Sequence, residues 1–162
     1  MQRCGKRVSG ARNILIIEDN AGDVRLMREA LREMQPPVSM HAVADAEEAL
    51  EFLRQRGKYH NAPKPHLILL DFNLPKSDSR ELLRNIKEDE ELRLIPIAVL
   101  TTSDAARDVR EAYQLHANCY LRKPVDLDGF FSTIRAAVHF WLDVAYIPAD
   151  LEADAMNKSH LL

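Results

Sequence analysis

The sequence predicts an α/β domain built on a five-stranded parallel sheet with helices on both faces. Apolar runs suited to strands alternate with segments of helical periodicity along the chain, and the connections between them are short. Several strand runs are continuous rather than alternating, as in strands buried on both faces. Right-handed crossovers between parallel strands then place helices on both sides of the sheet. At 162 residues the chain has room for one such domain and no second one.

The elements follow in order. Asn13-Ile14-Leu15-Ile16-Ile17 is an apolar run ending in Glu18-Asp19, and Asn20 can cap a helix whose apolar positions Val24, Met27, Ala30, Leu31 and Met34 keep the helical period until Pro36-Pro37. Val38 to Ala44 reads as a second strand. Asp45 can cap a helix over 46–56, with Gly57 in the usual C-terminal position. Leu67-Ile68-Leu69-Leu70-Asp71 is a third strand ending in an acid, Leu82, Leu83 and Ile86 mark a third helix, and the acid-rich 87–91 reads as its solvated end. Ile95 to Thr101 is a fourth strand, and Asp104 can cap a helix to about His116. Cys119 to Arg122 is a short fifth strand, and Asp126 can cap a last helix to about Asp143. Residues 1–12 read as a flexible basic tail, 13–148 as the domain with an extended C-terminal helix, and 149–162 as a polar tail.

Composition excludes several classes. With 22 basic and 25 acidic residues the net charge is −3, too small a field to draw in nucleic acid or an anionic membrane. Five glycines, two of them before residue 13, leave no material for a glycine-rich phosphate loop. Cys4 and Cys119 provide neither a disulfide framework nor a CxxC metal site, so a reducing cytoplasm is the expected compartment. The six histidines show no paired metal-binding spacing. No stretch reads as a signal peptide or membrane span.

Open parallel sheets bind ligands outside the carboxyl ends of their strands. At those ends stand Glu18 and Asp19, Asp71, Thr101 and Lys123, contributed by four strands. Three carboxylates gathered there repel one another, and a hard divalent cation such as Mg²⁺, which prefers oxygen ligands, resolves that repulsion. Lys123 offers a point charge and Thr101 a hydroxyl to an incoming phosphoryl group, and Asp71 on the central strand is the natural nucleophile.

Glu18-Asp19-Asn20, Asp71-Phe72-Asn73-Leu74-Pro75, Thr101 and Tyr120-Leu121-Arg122-Lys123-Pro124, in this order and spacing, resemble the receiver domain of two-component response regulators. The resemblance covers about residues 13 to 143. It implies the flavodoxin-like receiver fold, with strand order 2-1-3-4-5. It also implies that Asp71 accepts a phosphoryl group from a phosphohistidine on a sensor histidine kinase. Glu18, Asp19, Asp71 and the backbone carbonyl of Asn73 would hold Mg²⁺, while Lys123 and Thr101 would contact the phosphoryl oxygens. Lys123–Pro124 would be a cis peptide, which costs only about 0.5–1 kcal/mol. Thr101 and Tyr120 would form the switch, and Asn73 and Ser103 would flank the hydrolytic water and tune the phosphoryl lifetime. Such a domain is a signalling phosphoacceptor that assists its own phosphorylation and dephosphorylation, and not an enzyme with a separate substrate. Two departures stand out: Glu18 replaces a common Asp, and Asp78-Ser79 replaces a pair that usually ends in Gly.

The aromatic and apolar ending, with Phe140, Trp141, Val144, Tyr146 and Ile147, either packs on its own domain or forms a homodimer interface. With Glu-Asp-Asn near the start, it resembles stand-alone receivers associated with phytochrome-type sensor kinases. Short tails imply no DNA-binding module, so output would pass through protein contact or a histidine phosphotransfer protein. Three rivals remain open. A haloacid-dehalogenase-type Mg²⁺-dependent phosphatase would carry Asp where this chain has Asn73. A flavodoxin-like FMN protein would place Ser, Thr and Gly where Glu18-Asp19 stand, and an unphosphorylated receiver scaffold would not need the full acidic set.

Overall fold

The computed structural model describes residues 10–150; the expectations for the two tails otherwise fall outside the described residues. Five strands, β1 (Arg12–Ile17), β2 (Val38–Val43), β3 (Leu67–Leu70), β4 (Ile97–Thr101) and β5 (Cys119–Arg122), form one sheet. Its order is β2-β1-β3-β4-β5, as the receiver resemblance implies, and every pairing is parallel, as the sequence pattern predicts. Helices α1 (Ala21–Arg32), α2 (Ala46–Leu53), α3 (Ser79–Glu88), α4 (Ala106–Gln114) and α5 (Leu127–His139) connect or follow the strands.

Because side chains alternate along a strand, the central strands sort their apolar residues onto two cores. Leu15, Ile17, Ile68, Leu70 and Val99 face α2, α3 and α4 through Phe52, Leu82, Leu83, Ile86 and Ala112. Ile14, Ile16, Leu67, Leu69 and Leu100 face α1 and α5 through Met27, Leu31, Phe130, Ile134 and Val138. Strands β1, β3 and β4 are buried throughout, which explains their continuous apolar runs, whereas edge strand β5 is half-buried. Among the described residues no helix is long and apolar enough to cross a membrane.

Asn20, Asp45 and Asp126 cap their helices as expected, accepting from the N–H groups of Asp23, Glu48 and Gly129. Elsewhere local chemistry departs from the sequence reading. Helix α2 stops at Leu53: Gln55, not Gly57, takes the left-handed conformation that ends it (φ 54°), with Arg56 N–H donating to Glu51 O. The Gln55 side chain donates to Ala62 O, and Gly57 (φ 56°) instead opens a 3₁₀ turn, Gly57–Tyr59. Helix α4 begins after Ala105 with no side-chain cap, because the Asp104 carboxylate pairs with Arg122 at 3.2 Å. Asp78 caps α3 through Arg80 and Glu81 N–H at an ordinary φ of −90°, so the loop needs no glycine.

The chain ends with a change of helical pitch. Helix α5 continues into a π turn, Phe140–Val144, closed by Ala145 N–H donating to Phe140 O. Leu142 and Ile147 turn inward and are buried, and Trp141 is half-buried against the α1/α5 core. Arg12 at the start of β1 pairs with Asp143 at 2.9 Å and donates to Pro36 O, fastening this turn beneath the sheet. Ile147, a candidate dimer contact by sequence, is only 3% exposed; its side chain belongs to the fold of its own domain.

Candidate functional site

Backbone ladder bonds carry the functional residues past the strand ends. Glu18 N–H donates to Val43 O, Asp71 N–H to Ile17 O and Lys123 N–H to Thr101 O. Register places Ile17 opposite Leu70, so Glu18 and Asp71 leave neighbouring strands side by side. One carboxylate oxygen from each of Glu18, Asp19 and Asp71 lies within 4.8 Å of the other two. Glu18 and Asp71 are buried and Asp19 is exposed, so the cluster has a protein wall and an open side. Three carboxylate oxygens at this spacing fit a hard divalent cation, with the open side left for water or a ligand oxygen. A surface cleft of about 610 Å³ is lined by His66 and Pro96 at the opposite ends of the strands and takes no part here.

Lys123 reaches into the cluster, its side chain 7% exposed. Its Nζ lies 2.6 Å from Glu18 Oε2, 2.8 Å from Asp23 Oδ2 and 3.2 Å from Asp71 Oδ2. Burial drives the Glu18 carboxyl up to about 7, and the Asp71 charge adds to this; hydrogen bonds from Lys123 and Asn20 N–H offset only part of it. Burial pulls the Lys123 ammonium down, but its bonds to Asp23 and Glu18 and the nearby Asp71 charge outweigh it, leaving the lysine above its usual value. The Lys123–Pro124 bond is trans, and the cis bond among the described residues is Gln35–Pro36. The cis expectation at Lys123–Pro124 is therefore corrected. X–Pro isomers are close in energy, so surroundings decide between them, and the trans form already seats the lysine among its acids.

Around Asp71 the hydrogen bonding is continuous. Asn73 N–H donates to Asp71 Oδ1 at 2.8 Å, and Asn73 Nδ2 donates to Thr101 Oγ1 at 2.8 Å. Ser103 N–H reaches the same Thr101 oxygen at 3.4 Å. Ser103 Oγ donates to Asp108 Oδ2, and Tyr120 Oη donates to Ser103 O. Asp108 and Glu111 hold Arg80, whose guanidinium lies 4.3 Å over the Phe72 ring, and Tyr120 meets Phe72 edge-on at 6.4 Å. Tyr120 is half-buried, so its ring occupies the space between the Ser103 loop and the residue beside Asp71.

The structure thus gathers Glu18, Asp19, Asp71, Asn73, Thr101, Ser103, Tyr120 and Lys123 at one edge of the sheet. Phe140, Trp141, Val144, Tyr146 and Ile147 lie outside this cluster. Phe140, Val144 and Tyr146 are exposed. Sequence reasoning missed Asp23, whose place in the first turn of α1 reads as an ordinary helix-dipole acid. It also missed Ser79, which is buried and donates Oγ–H to the Asp71 carbonyl at 2.7 Å. The sequence marks Ser79 only within the Asp78-Ser79 departure and not its bond, because its partner is a backbone atom eight residues away.

Comparison with known proteins agrees with this geometry. Residues 14–135 match the response regulator receiver domain. The chain is 43% identical over 136 residues to the response regulator Rcp1 of Synechocystis sp., spanning 84% of this chain and 92% of that protein. The crystal structure of the phosphorylated cyanobacterial phytochrome response regulator RcpA is 44% identical, with a TM-score of 0.82 over 86% of this chain and 99% of that one. The Mn²⁺-bound form of Rcp1 is 42% identical, with a TM-score of 0.79 over 85% and 99%. With the fold, the strand-end acids and the matched span in agreement, the chain belongs to the response regulator receiver family.

Proposed function

We propose that this receiver accepts a phosphoryl group on Asp71 from the phosphohistidine of a sensor histidine kinase of the phytochrome type. The observation that carries the reading is the meeting of Asp71 with Glu18, Asp19, Lys123 and Thr101 at one sheet edge. An Asp71 carboxylate oxygen attacks phosphorus in line, the P–N bond breaks, and the imidazole nitrogen leaves with the electron pair. Glu18, Asp19, Asp71 and the Asn73 carbonyl would hold Mg²⁺, and that cation would supply charge neutralisation for the phosphoryl oxygens. Lys123 supplies a further positive charge and Thr101 a hydroxyl donor. Asn73 and Ser103 border the approach to Asp71 and set how readily water reaches the acyl phosphate. The likeness to RcpA and Rcp1 supports the phytochrome class of kinase. In the cytoplasm, output would pass to a protein partner or a histidine phosphotransfer protein.

Phosphorylation adds roughly −1.5 to −2 charge beside Thr101. Drawing the Thr101 hydroxyl toward that charge loosens its bonds with Asn73 and Ser103, and Tyr120, tied to Ser103 O, follows. The altered surface would be that of α4, β5 and α5. Exposed Phe140, Val144 and Tyr146 support a homodimer contact at the end of α5, with Trp141 behind them. Sedimentation of wild type and Phe140→Ser/Tyr146→Ser tests that contact; a wild-type monomer in every condition removes it.

The phosphoacceptor assignment is tested with a phosphorylated kinase domain, or acetyl phosphate and Mg²⁺, followed by intact-mass measurement. Wild type gains one phosphoryl group and Asp71→Asn gains none. Equal labelling of Asp71→Asn would remove Asp71 from its role.

A further inference from the structure

Lys123 has one partner outside the metal cluster. Its ammonium carries three protons and meets three carboxylate oxygens, from Glu18, Asp23 and Asp71. Glu18 and Asp71 belong to the group whose oxygens lie within 4.8 Å of one another, together with Asp19; Asp23 does not. A divalent cation held by that group would draw on Glu18 and Asp71 and repel the ammonium. Asp23 would then be the one of the three partners that holds the lysine without sharing an oxygen with the cation.

The start of α1 is built to keep Asp23 in place. Asn20 Oδ1, the helix cap, accepts from Asp23 N–H at 3.0 Å, fixing the backbone from which the carboxylate reaches Lys123. At Gly22 a Cβ would stand 3.1 Å from Asn20 Oδ1, so a side chain there would press on the cap. Asn20, Gly22 and Asp23 act as one unit, and its product is a carboxylate 2.8 Å from the lysine and 29% exposed.

We infer that Asp23 is a positioning residue for phosphoryl transfer: it keeps the Lys123 ammonium in the site, directed at Asp71, when a cation and a phosphoryl group engage Glu18 and Asp71. The inference rests on the proposed role of Asp71 and assigns the lysine its standing partner. Removing the carboxylate releases a flexible four-carbon stem beside a divalent cation, and the ammonium swings outward. An amide at the same place keeps an acceptor oxygen for the ammonium and retains part of the hold.

Two readouts test this. Lys123 is acetylated with acetic anhydride in Mg²⁺ and its modification is followed by mass spectrometry, with exposed Lys76 as the internal reference. Expected is slow labelling in wild type and labelling on the order of tenfold faster in Asp23→Ala, the scale of losing one charge-assisted hydrogen bond. Asp23→Asn should fall between them. Phosphoryl uptake from acetyl phosphate should run in the opposite order, fastest in wild type and slowest in Asp23→Ala. Urea midpoints establish that each variant is folded. Lys123 labelling in Asp23→Ala equal to wild type overturns the proposal. So does phosphorylation that speeds up equally in Asp23→Ala and Asp23→Asn, because Asp23 would then act only as a repelling charge. The labelling arm needs Mg²⁺ but no phosphoryl group. If wild type takes up no phosphoryl group on Asp71, the reading of Asp71 falls while the hold on Lys123 is still measured.

Discussion

With Glu18 as a ligand of the proposed cation, binding should be a proton-linked event whose size follows from the surroundings of Glu18. In the cation-free protein its carboxyl sits at about 7, because burial disfavours the charge and Asp71 adds repulsion. A cation needs the carboxylate form, so binding displaces whatever proton is present. The ionised share of Glu18 rises from ~10% at pH 6 to ~90% at pH 8, so the apparent affinity for Mg²⁺ should rise about tenfold across that interval. At pH 7 binding should release about half a proton. Calorimetric titration in two buffers of different ionisation enthalpy measures both quantities. Glu18→Gln should bind more weakly with a flat profile in this interval. The sign carries over to stability. A folded-state value raised above the ordinary 4.5 stabilises the cation-free protein at low pH, and that contribution is lost as pH rises through about 7. The gain in melting temperature on adding Mg²⁺ should therefore grow from pH 6 to pH 8. A wild-type affinity that is flat across the interval, or a pH profile unchanged in Glu18→Gln, would refute the argument.

Three further outcomes are expected. Glu48, held by Lys58, Tyr59 Oη and Ala44 N–H, has its carboxyl lowered to about 2, so it stabilises the fold above 4.5 and loses that contribution as pH falls through about 2. Urea midpoints of Glu48→Gln should lie below wild type at pH 7 and converge with it toward pH 2. Leu83→Ala, at a fully buried position under β3, should cost about 2–5 kcal/mol in urea denaturation with the m-value unchanged. Ser79→Ala leaves the Asp71 carbonyl without its hydroxyl partner and should cost about 1–3 kcal/mol by the same measurement.

The sheet and most of its site were legible because the signals are local. Continuous apolar runs marked β1, β3 and β4, and the polar residue ending each run marked the functional edge. Helix ends were less legible, because competing partners decide them. Asp104 is a good cap by type but has Arg122 nearby, and Gln55 accepts a left-handed conformation that the sequence assigns to Gly57. Asp23 escaped notice because its meaning depends on Lys123, 100 residues away. Ile147 reads as interface from its apolar neighbours, yet the π turn after α5 redirects the chain and buries it.

The hydrogen bonds at Thr101 bear on which incoming groups its hydroxyl can bond. A threonine hydroxyl has two lone pairs and one proton. Asn73 Nδ2 and Ser103 N–H both point at this oxygen, so its accepting capacity is occupied from within the protein. What the hydroxyl has left to offer is its proton. A phosphoryl oxygen can only accept and so matches that role, whereas a group that can only donate, such as an ammonium, finds no bond there. Two neighbouring donors thus turn an ambivalent group into a one-way contact, and a fully buried threonine becomes selective for the chemical polarity of what arrives.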